Sequence, residues 1–350
     1  MVDRFLQAIV PRRHSTKFGD QGGNTILKIS ENSSCNCDMI FDYVNEVSFD
    51  SILYPAKKKT AIKIIEGQCD LDKYIEYINH HKIEEAIIEW PNLDFLRYCP
   101  SLIHFKIGRP LLSSPSAFDF TPLYEKEIVK SLIVSNLFGP KLDKFVEIDF
   151  SKLRGLESLF TYYNRGTLNI SSVQTLKSLR ITGYKAANRN ITDLFTSSML
   201  DTLVMCQGNI KTLEGIDRAP LIYLSLNYMK SLENIDSLIN VKDTLRSLNI
   251  SCCSKIQDFS ILQYLINLEK LEIEGCTCLP NLDFVKKLPH LKTLILANTP
   301  ILDGNIELCK QLQYVKIYPY KKHYNVLQNN LPKNTVVRGN ELIEEWRRFE

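Results

Sequence analysis

The chain repeats one short pattern of apolar positions, with apolar residues in the first, fourth and sixth places of each unit. The clearest copies open at Leu245, Leu268 and Leu291, so successive units begin 23 residues apart. With substitutions tolerated, the spacing predicts further units in both directions. The eleven predicted units open at Ile83, Leu102, Val129, Leu156, Leu176, Leu200, Leu221, Leu245, Leu268, Leu291 and Leu312. Repetition at this period indicates a solenoid that grows by stacking units.

Each unit predicts a short strand followed by a tight turn. Because side chains alternate along a strand, the fourth and sixth places should point into the core, and the third, fifth and seventh out of the sheet. The eighth place, where the turn begins, should also point outward. Between strands, apolar residues three apart, such as Ile256, Phe259 and Leu262, favour 3₁₀ or short helical turns on the opposite, convex side.

In four units the ninth place carries a side chain able to hydrogen-bond with the turn: Asn164, Cys253, Cys276 and Thr299. Buried backbone polar groups need partners, so we interpret this place as structural. The two cysteines should therefore not be nucleophiles.

This unit resembles the leucine-rich repeat, in particular the short-repeat class of bacterial and intracellular proteins, over about residues 83 to 320. The resemblance implies an α/β solenoid: a horseshoe with a concave parallel β-sheet, short helical or 3₁₀ convex segments, and caps at both ends. It also implies a protein-binding role, since leucine-rich-repeat proteins widely serve as interaction scaffolds.

A solenoid exposes its core at both ends unless other structure covers it. We predict an N-terminal cap or small β-rich domain over residues 1–58, the solenoid over 59–338, and a capping helix over 339–350. Residues 59–64 resemble a degenerate strand, and Asp70 is a candidate N-cap for the helical pattern after it. An insert at 111–121 fits no regular repeat, and we interpret it as a longer convex loop that offers a second contact surface.

Charge and composition narrow the function. The 43 basic and 40 acidic residues give a net charge of +3 with both signs interspersed, which argues against nucleic acid or a membrane as the main partner. No apolar run reaches the roughly 18 residues of a membrane helix, and the first residues lack the order of a signal peptide. We therefore expect a cytoplasmic protein whose ten cysteines are reduced thiols.

The sequence contains no recognisable catalytic motif. His80 and His81 end a predicted helix, where cationic side chains suit the helix dipole, and they lack ligand-spaced partners. The glycine-rich segment 19–24 lacks the Gly-Lys-Ser/Thr of a phosphate-binding loop, and no Gly-x-Ser-x-Gly or His-Glu-x-x-His motif occurs. We predict that the chain is not an enzyme and holds no cofactor and no metal.

The candidate binding surface lies on the concave sheet, where aromatic residues occupy outward places of the middle units. The candidate partner-binding residues are Trp90, Arg109, Phe160, Tyr162, Tyr163, Arg180, Tyr223, Asn227 and Tyr228. Protein-binding hot spots are enriched in aromatic residues and arginine, so the expected partner is another protein. An inhibitor or a toxin-neutralising immunity protein is a further hypothesis.

Three alternatives stay open. The aromatic residues could stack on one another across strands with no partner at all. The chain could be the substrate-recognition arm of an enzyme whose activity lies in the N-terminal region, although the first 80 residues lack a nucleophile–base pair. It could also be an RNA-binding scaffold that uses Arg109, Arg180 and the tyrosines, although the near-neutral charge counts against this. The sequence does not indicate an oligomeric state.

Overall fold

Twelve parallel strands form one continuous sheet in a computed structural model that describes residues 61–108, 118–134, 147–194 and 199–333. In spatial and chain order they are β1 (Ala61–Ile65), β2 (Glu85–Glu89), β3 (His104–Ile107), β4 (Ser131–Val134), β6 (Ser158–Tyr162), β8 (Ser178–Tyr184), β9 (Thr202–Gly208), β10 (Tyr223–Asn227), β11 (Ser247–Ser251), β12 (Lys270–Glu274), β13 (Thr293–Ala297) and β14 (Tyr314–Tyr318). The strands β5 (Ile148–Asp149) and β7 (Thr167–Leu168) pair separately.

Each of the eleven predicted units contributes one strand to this sheet. In every case the strand begins two residues after the apolar residue that opens the unit. The register keeps equivalent places side by side, so that Leu224 pairs with Leu203 on one side and Leu248 on the other. The further strand β1 lies at the segment predicted from residues 59–64. One repeated spacing therefore sets both the position and the register of the strands.

The core runs along one face of the sheet. Residues in the fourth and sixth places are buried throughout β11, β12 and β13, whereas most of their outward neighbours are partly exposed. Short 3₁₀ segments cover this core: η1 (Asp94–Tyr98), η2 (Phe150–Lys152), η3 (Ile170–Ser172), η4 (Ile216–Arg218), η5 (Asp236–Val241), η6 (Ser260–Tyr264), η7 (Asp283–Lys287), η8 (Glu307–Gln311) and η9 (Gln328–Asn330). The predicted 3₁₀ returns are thus confirmed.

The predicted helix is α1 (Leu71–His81), which buries Tyr74 and Ile78. Asp70 lies at its N-cap as predicted, but its side chain makes no capping hydrogen bond. Its backbone carbonyl instead accepts from the amide of Lys73 at 3.2 Å. Packing of the apolar side of the helix, rather than the cap, therefore holds α1 in place.

The ninth place is structural, as predicted. The Cys253 thiol lies 3.4 Å from the carbonyl oxygen of Leu226, and the Cys276 thiol lies 3.6 Å from that of Ile250. The Thr299 hydroxyl donates to the carbonyl of Ala297 at 3.2 Å. Burial raises the pKa of Cys253 to about 12 and that of Cys276 to about 11. All the cysteines in the described ranges are free thiols.

Charged side chains alternate in sign along the second place of the units, just before each strand. The series is Lys130, Glu157, Lys177, Asp201, Ile222, Arg246, Glu269 and Lys292, with one neutral member. Two adjacent pairs are in contact, Glu157 with Lys177 at 3.3 Å and Glu269 with Lys292 at 2.8 Å. Like charges opposite each other would repel, so the alternation lets this margin of the sheet be charged without repulsion.

Several predictions concern residues that the structure does not describe. Residues 1–58 and 339–350 lie outside the described residues, so the domain boundaries stay predictions. Most of the insert, 111–117, lies outside them too. Its last residues pack inward: Phe118 and Phe120 are buried ahead of α2 (Thr121–Tyr124). Within the described ranges, no helix is long and apolar enough to cross a membrane.

Gly215 should be intolerant of any side chain. Its φ is +96°, and an added Cβ would lie 2.5 Å from Cα of Thr192. We expect Gly215→Ala to lower the free energy of unfolding by about 2–4 kcal/mol, because steric overlap adds to the backbone strain. Gly155→Ala is the control, since its φ is +71° but its Cβ would meet only the Ile128 side chain at 3.4 Å. Equal losses in urea titrations would contradict the steric argument.

The buried thiols should resist alkylation. The thiolate is the reactive form, and Cys253 and Cys276 are both buried and raised in pKa, whereas Cys278 is exposed. In a timed iodoacetamide reaction at pH 8, read by peptide mass spectrometry, Cys278 should be modified first. Cys253 and Cys276 should react only after denaturant is added. Labelling of Cys253 as fast as Cys278 would be inconsistent with the ninth-place packing.

Candidate functional site

Two aromatic residues and an arginine meet on the outward face of β6 and β8, and a third aromatic residue, Tyr163, directly follows β6. Phe160 and Arg180 occupy the fifth places of the two strands and are paired in the register. The guanidinium carbon of Arg180 lies 4.7 Å from the centre of the Phe160 ring, which is a cation–π distance. The Tyr162 ring centre lies 5.6 Å from that of Phe160. We call Phe160, Tyr162, Tyr163 and Arg180 the Arg180 cluster.

Tyr163 is held by a residue that the sequence analysis did not select. Its ring meets that of Tyr184 edge to face, with the centres 5.1 Å apart. Tyr184 lies at the ninth place of its unit, where the structure buries it. An aromatic residue directly after Gly183, at the end of β8, was the signal available in the sequence. A buried ring therefore supports the end of the Arg180 cluster from below.

A second group of predicted residues lies two strands away on β10 and consists of Tyr223, Asn227 and Tyr228. The Asn227 amide donates to the Ser225 hydroxyl at 2.9 Å. Burial raises the pKa of Tyr223, and hydrogen bonding with Ser225 opposes that rise. We call these three residues the β10 group.

Small side chains lie on the outward face of β9, β10 and β11, next to the Arg180 cluster and the β10 group. Val204, Ser225 and Ser247 are only 4–5% exposed, although they occupy third and fifth places. A small residue on a bare sheet face would be open to water, so larger neighbours must shield these three. We call them the floor of the site.

Two polar atoms beside this floor are shielded from solvent. Oγ of Ser178 and Oδ1 of Asn249 have no hydrogen-bond partner within the described ranges. Ser178 lies on β8, two residues before Arg180 and on the same face of the strand. Asn249 is the register partner of Ser225. Buried polar groups are normally satisfied, so these two shielded atoms are exceptions within the described ranges.

The eighth place of the central units adopts a left-handed backbone, which orients Tyr228. Gln207, Tyr228, Cys252 and Asn298 have φ between +49° and +56°. Non-glycine residues are rare there because the conformation costs about 1–2 kcal/mol each. The amide of Tyr228 donates to the carbonyl of Ser251 at 2.8 Å, so the sheet hydrogen bonding continues through the turn and repays part of that strain.

The predicted site residues do not all come together. Trp90 follows β2, three strands from β6, which at about 4.8 Å per strand places it roughly 14 Å from the Arg180 cluster. Arg109 lies outside the described residues. The other seven lie on or directly after β6, β8 and β10, and their role in binding stays a prediction.

One serine–histidine pair does form, although no motif predicts it. The Nδ1 atom of His104 lies 2.7 Å from Oγ of Ser131, because β3 and β4 align their third places. Ser131 is 94% buried, since it is only 6% exposed, which keeps its hydroxyl away from any substrate. Among the described residues, no group of three or more His, Cys, Asp or Glu side chains could hold a metal ion.

The strands and returns together define a fold. A parallel strand in every apolar-x-x-apolar-x-apolar unit, with 3₁₀ returns on the other side, gives the chain the α/β solenoid, or horseshoe, fold that leucine-rich-repeat proteins have.

Comparison with known proteins finds likeness in structure only. No family model and no curated protein matches the sequence. An internalin, InlF, from Listeria monocytogenes is 14% identical, with 73% of this chain and 70% of that one covered and a TM-score of 0.46. A leucine-rich-repeat protein of Leptospira interrogans is 14% identical over 71% and 69%, with a TM-score of 0.48. The functional domain of Listeria InlJ, which includes a cysteine ladder, is 14% identical over 72% and 61%, with a TM-score of 0.43.

The Tyr184 ring should make the fold sensitive to alkali. Burial, with smaller contributions from Tyr163 and Asp193, raises the pKa of Tyr184 to about 12. The unfolded chain ionises this group first, near pH 10, so its contribution to stability is intact below pH 10 and falls as the pH rises toward 12. We expect Tyr184→Phe to lose less stability than the wild type across that window in denaturant titrations. Tyr98→Phe, at a 65% exposed residue, should follow the wild type; parallel curves for all three would refute the assignment.

Proposed function

We propose that this chain is a non-enzymatic scaffold that binds another protein on its sheet face, with the Arg180 cluster and the β10 group as the main contacts. The observation that carries the proposal is the gathering of five aromatic rings and one arginine around a floor of small residues. Protein interfaces concentrate their binding energy in aromatic residues and arginine near the centre of the contact, surrounded by energetically near-neutral contacts that exclude water.

Contacts among the aromatic rings also support binding. Phe160 lies against Tyr162 and Arg180, and Tyr163 lies against Tyr184. Stacking alone could account for rings on a sheet, but it also fixes their rotamers before a partner arrives. Fixing each such side chain otherwise costs about 0.5–1.5 kcal/mol on association. The rings are therefore pre-organised as anchors.

Within this proposal, the partner is a single protein that the chain holds in one-to-one complex, as an inhibitor or a toxin-neutralising immunity protein in the cytoplasm would. Twelve strands about 4.8 Å apart give a face roughly 50 Å long, which is sufficient for a small folded domain. RNA is disfavoured because the five central strands carry one formal positive charge on this face, whereas RNA binding relies on several.

The test removes the rings and measures binding. The wild-type protein should capture a partner from the cells that produce it, and Tyr162→Ala and Tyr228→Ala should each weaken that complex by about 30-fold, as hot-spot truncations do. Calorimetry on the purified partner gives the affinities. Tyr264→Ala is the matched control, because Tyr264 is 52% exposed on the 3₁₀ side in η6. Undiminished affinity in both site variants would overturn the proposal.

A further inference from the structure

Arg180 differs in charge from the other outward residues of the central strands. On β6, β8, β9, β10 and β11, all of them described, it is the only formally charged residue in the third, fifth, seventh and eighth places. Every other outward residue there is uncharged. We infer that the partner presents a single carboxylate, an Asp or Glu side chain with an apolar group beside it, to Arg180. This inference rests on the proposed function and names the chemistry that the site recognises.

The surroundings place the guanidinium group centrally. It lies over the Phe160 ring on β6. Its charge also opposes the burial-driven rise in the pKa of Tyr162, of Cys206 on β9 and of Tyr223 on β10. The guanidinium therefore lies within electrostatic reach of the strands on both sides of β8. A carboxylate docked on it would sit between the Arg180 cluster and the β10 group.

The immediate environment suits a charged hydrogen bond. Val204 of the floor is the register partner of Arg180, and the Phe160 ring covers the other side. Both exclude water and so strengthen an ion pair that forms there. The same apolar surfaces would accept the partner's neighbouring side chain.

One positive charge matches a monoanion better than a phosphate or a polynucleotide. A phosphate monoester carries up to two charges near neutral pH, and nucleic acids require several cations along the backbone. Toward the N-terminal end of the sheet, the next charge on this face among the described residues is Lys106 on β3. Toward the C-terminal end, the next charges are on β12, where Lys270 pairs with Glu272 at 3.6 Å and Glu274 adds a further negative charge. That strand would repel a polyanion extending from Arg180. A single acidic side chain avoids it.

The test uses two blocked dipeptides that differ by one functional group, acetyl-Phe-Glu-amide and acetyl-Phe-Gln-amide. Each is titrated into the full-length protein while the Nε–Hε signals of its arginines are followed by NMR. The Arg180 signal should shift and saturate with the glutamate peptide, and the glutamine peptide should bind at least about tenfold more weakly, because it lacks the charge. The Arg97 signal is the internal control, since that side chain lies on the 3₁₀ side in η1, where it pairs with Asp94 and Glu125.

Variants assign the effect to one side chain. Arg180→Met should reduce affinity for the glutamate peptide to that of the glutamine peptide, whereas Arg180→Lys should keep part of the difference. Arg97→Met is the matched control and should bind both peptides as the wild type does. The comparison of the two peptides on the wild-type protein needs no variant, so it stands even if a substitution unfolds the chain.

Three outcomes would overturn the inference: equal shifts with both peptides, no Arg180 response at peptide concentrations in the tens of millimolar, or tighter binding of phenyl phosphate or a ten-nucleotide RNA. These outcomes are separable from failure of the proposed function. A natural complex weakened by Tyr162→Ala but unaffected by Arg180→Met would keep the protein-binding scaffold and refute the carboxylate contact. If Tyr162→Ala, Tyr228→Ala and Arg180→Met all left the affinity unchanged, both the proposed function and the carboxylate contact would be refuted.

Discussion

The whole architecture depends on backbone hydrogen bonding between units that cannot stand alone. One unit presents a short strand, a turn and a 3₁₀ segment, and its apolar side chains find no cover within it. Stacking the next unit in register completes the ladder and the core together. Leu224, for example, lies between its equivalents Leu203 and Leu248 on the two adjacent strands. Equivalent outward residues of successive units then form a row across the sheet, and the candidate site is built from such rows.

The rows explain how a functional surface arises from residues far apart in the chain. Phe160 and Arg180 meet because both are fifth-place residues of adjacent units, and Asn249 reaches the floor for the same reason. Position along a row is fixed by the backbone, so only the identity of each side chain varies. On such a scaffold, substitution of outward residues changes the binding surface with little effect on the fold. The left-handed eighth place adds a margin where larger side chains such as Tyr228 leave the plane of the sheet.

Much of the fold was accessible from the sequence because a fixed period leaves little freedom. The strand starts, the 3₁₀ returns and the structural ninth place with Cys253 and Cys276 followed from spacing alone. The site was harder. Trp90 was grouped with the cluster because place in the unit says nothing about distance along the stack. Tyr184 and the His104–Ser131 pair were missed because each depends on which side chains the register sets side by side. Burial of the floor residues depends on their neighbours' sizes and could not be read from the repeat.

The alternating charges of the second place bear on how such a chain can change its length. Loss of the single unit that carries Lys177 would set Glu157 beside Asp201, two like charges on adjacent strands. Loss of two consecutive units, those of Glu157 and Lys177, would instead bring Lys130 beside Asp201 and keep the signs alternating. The same holds for insertions. Among the units that carry a charge at this place, the element that evolution can add or delete while the signs keep alternating is therefore a pair of units, twice the period visible in the apolar pattern; the unit of neutral Ile222 is the exception.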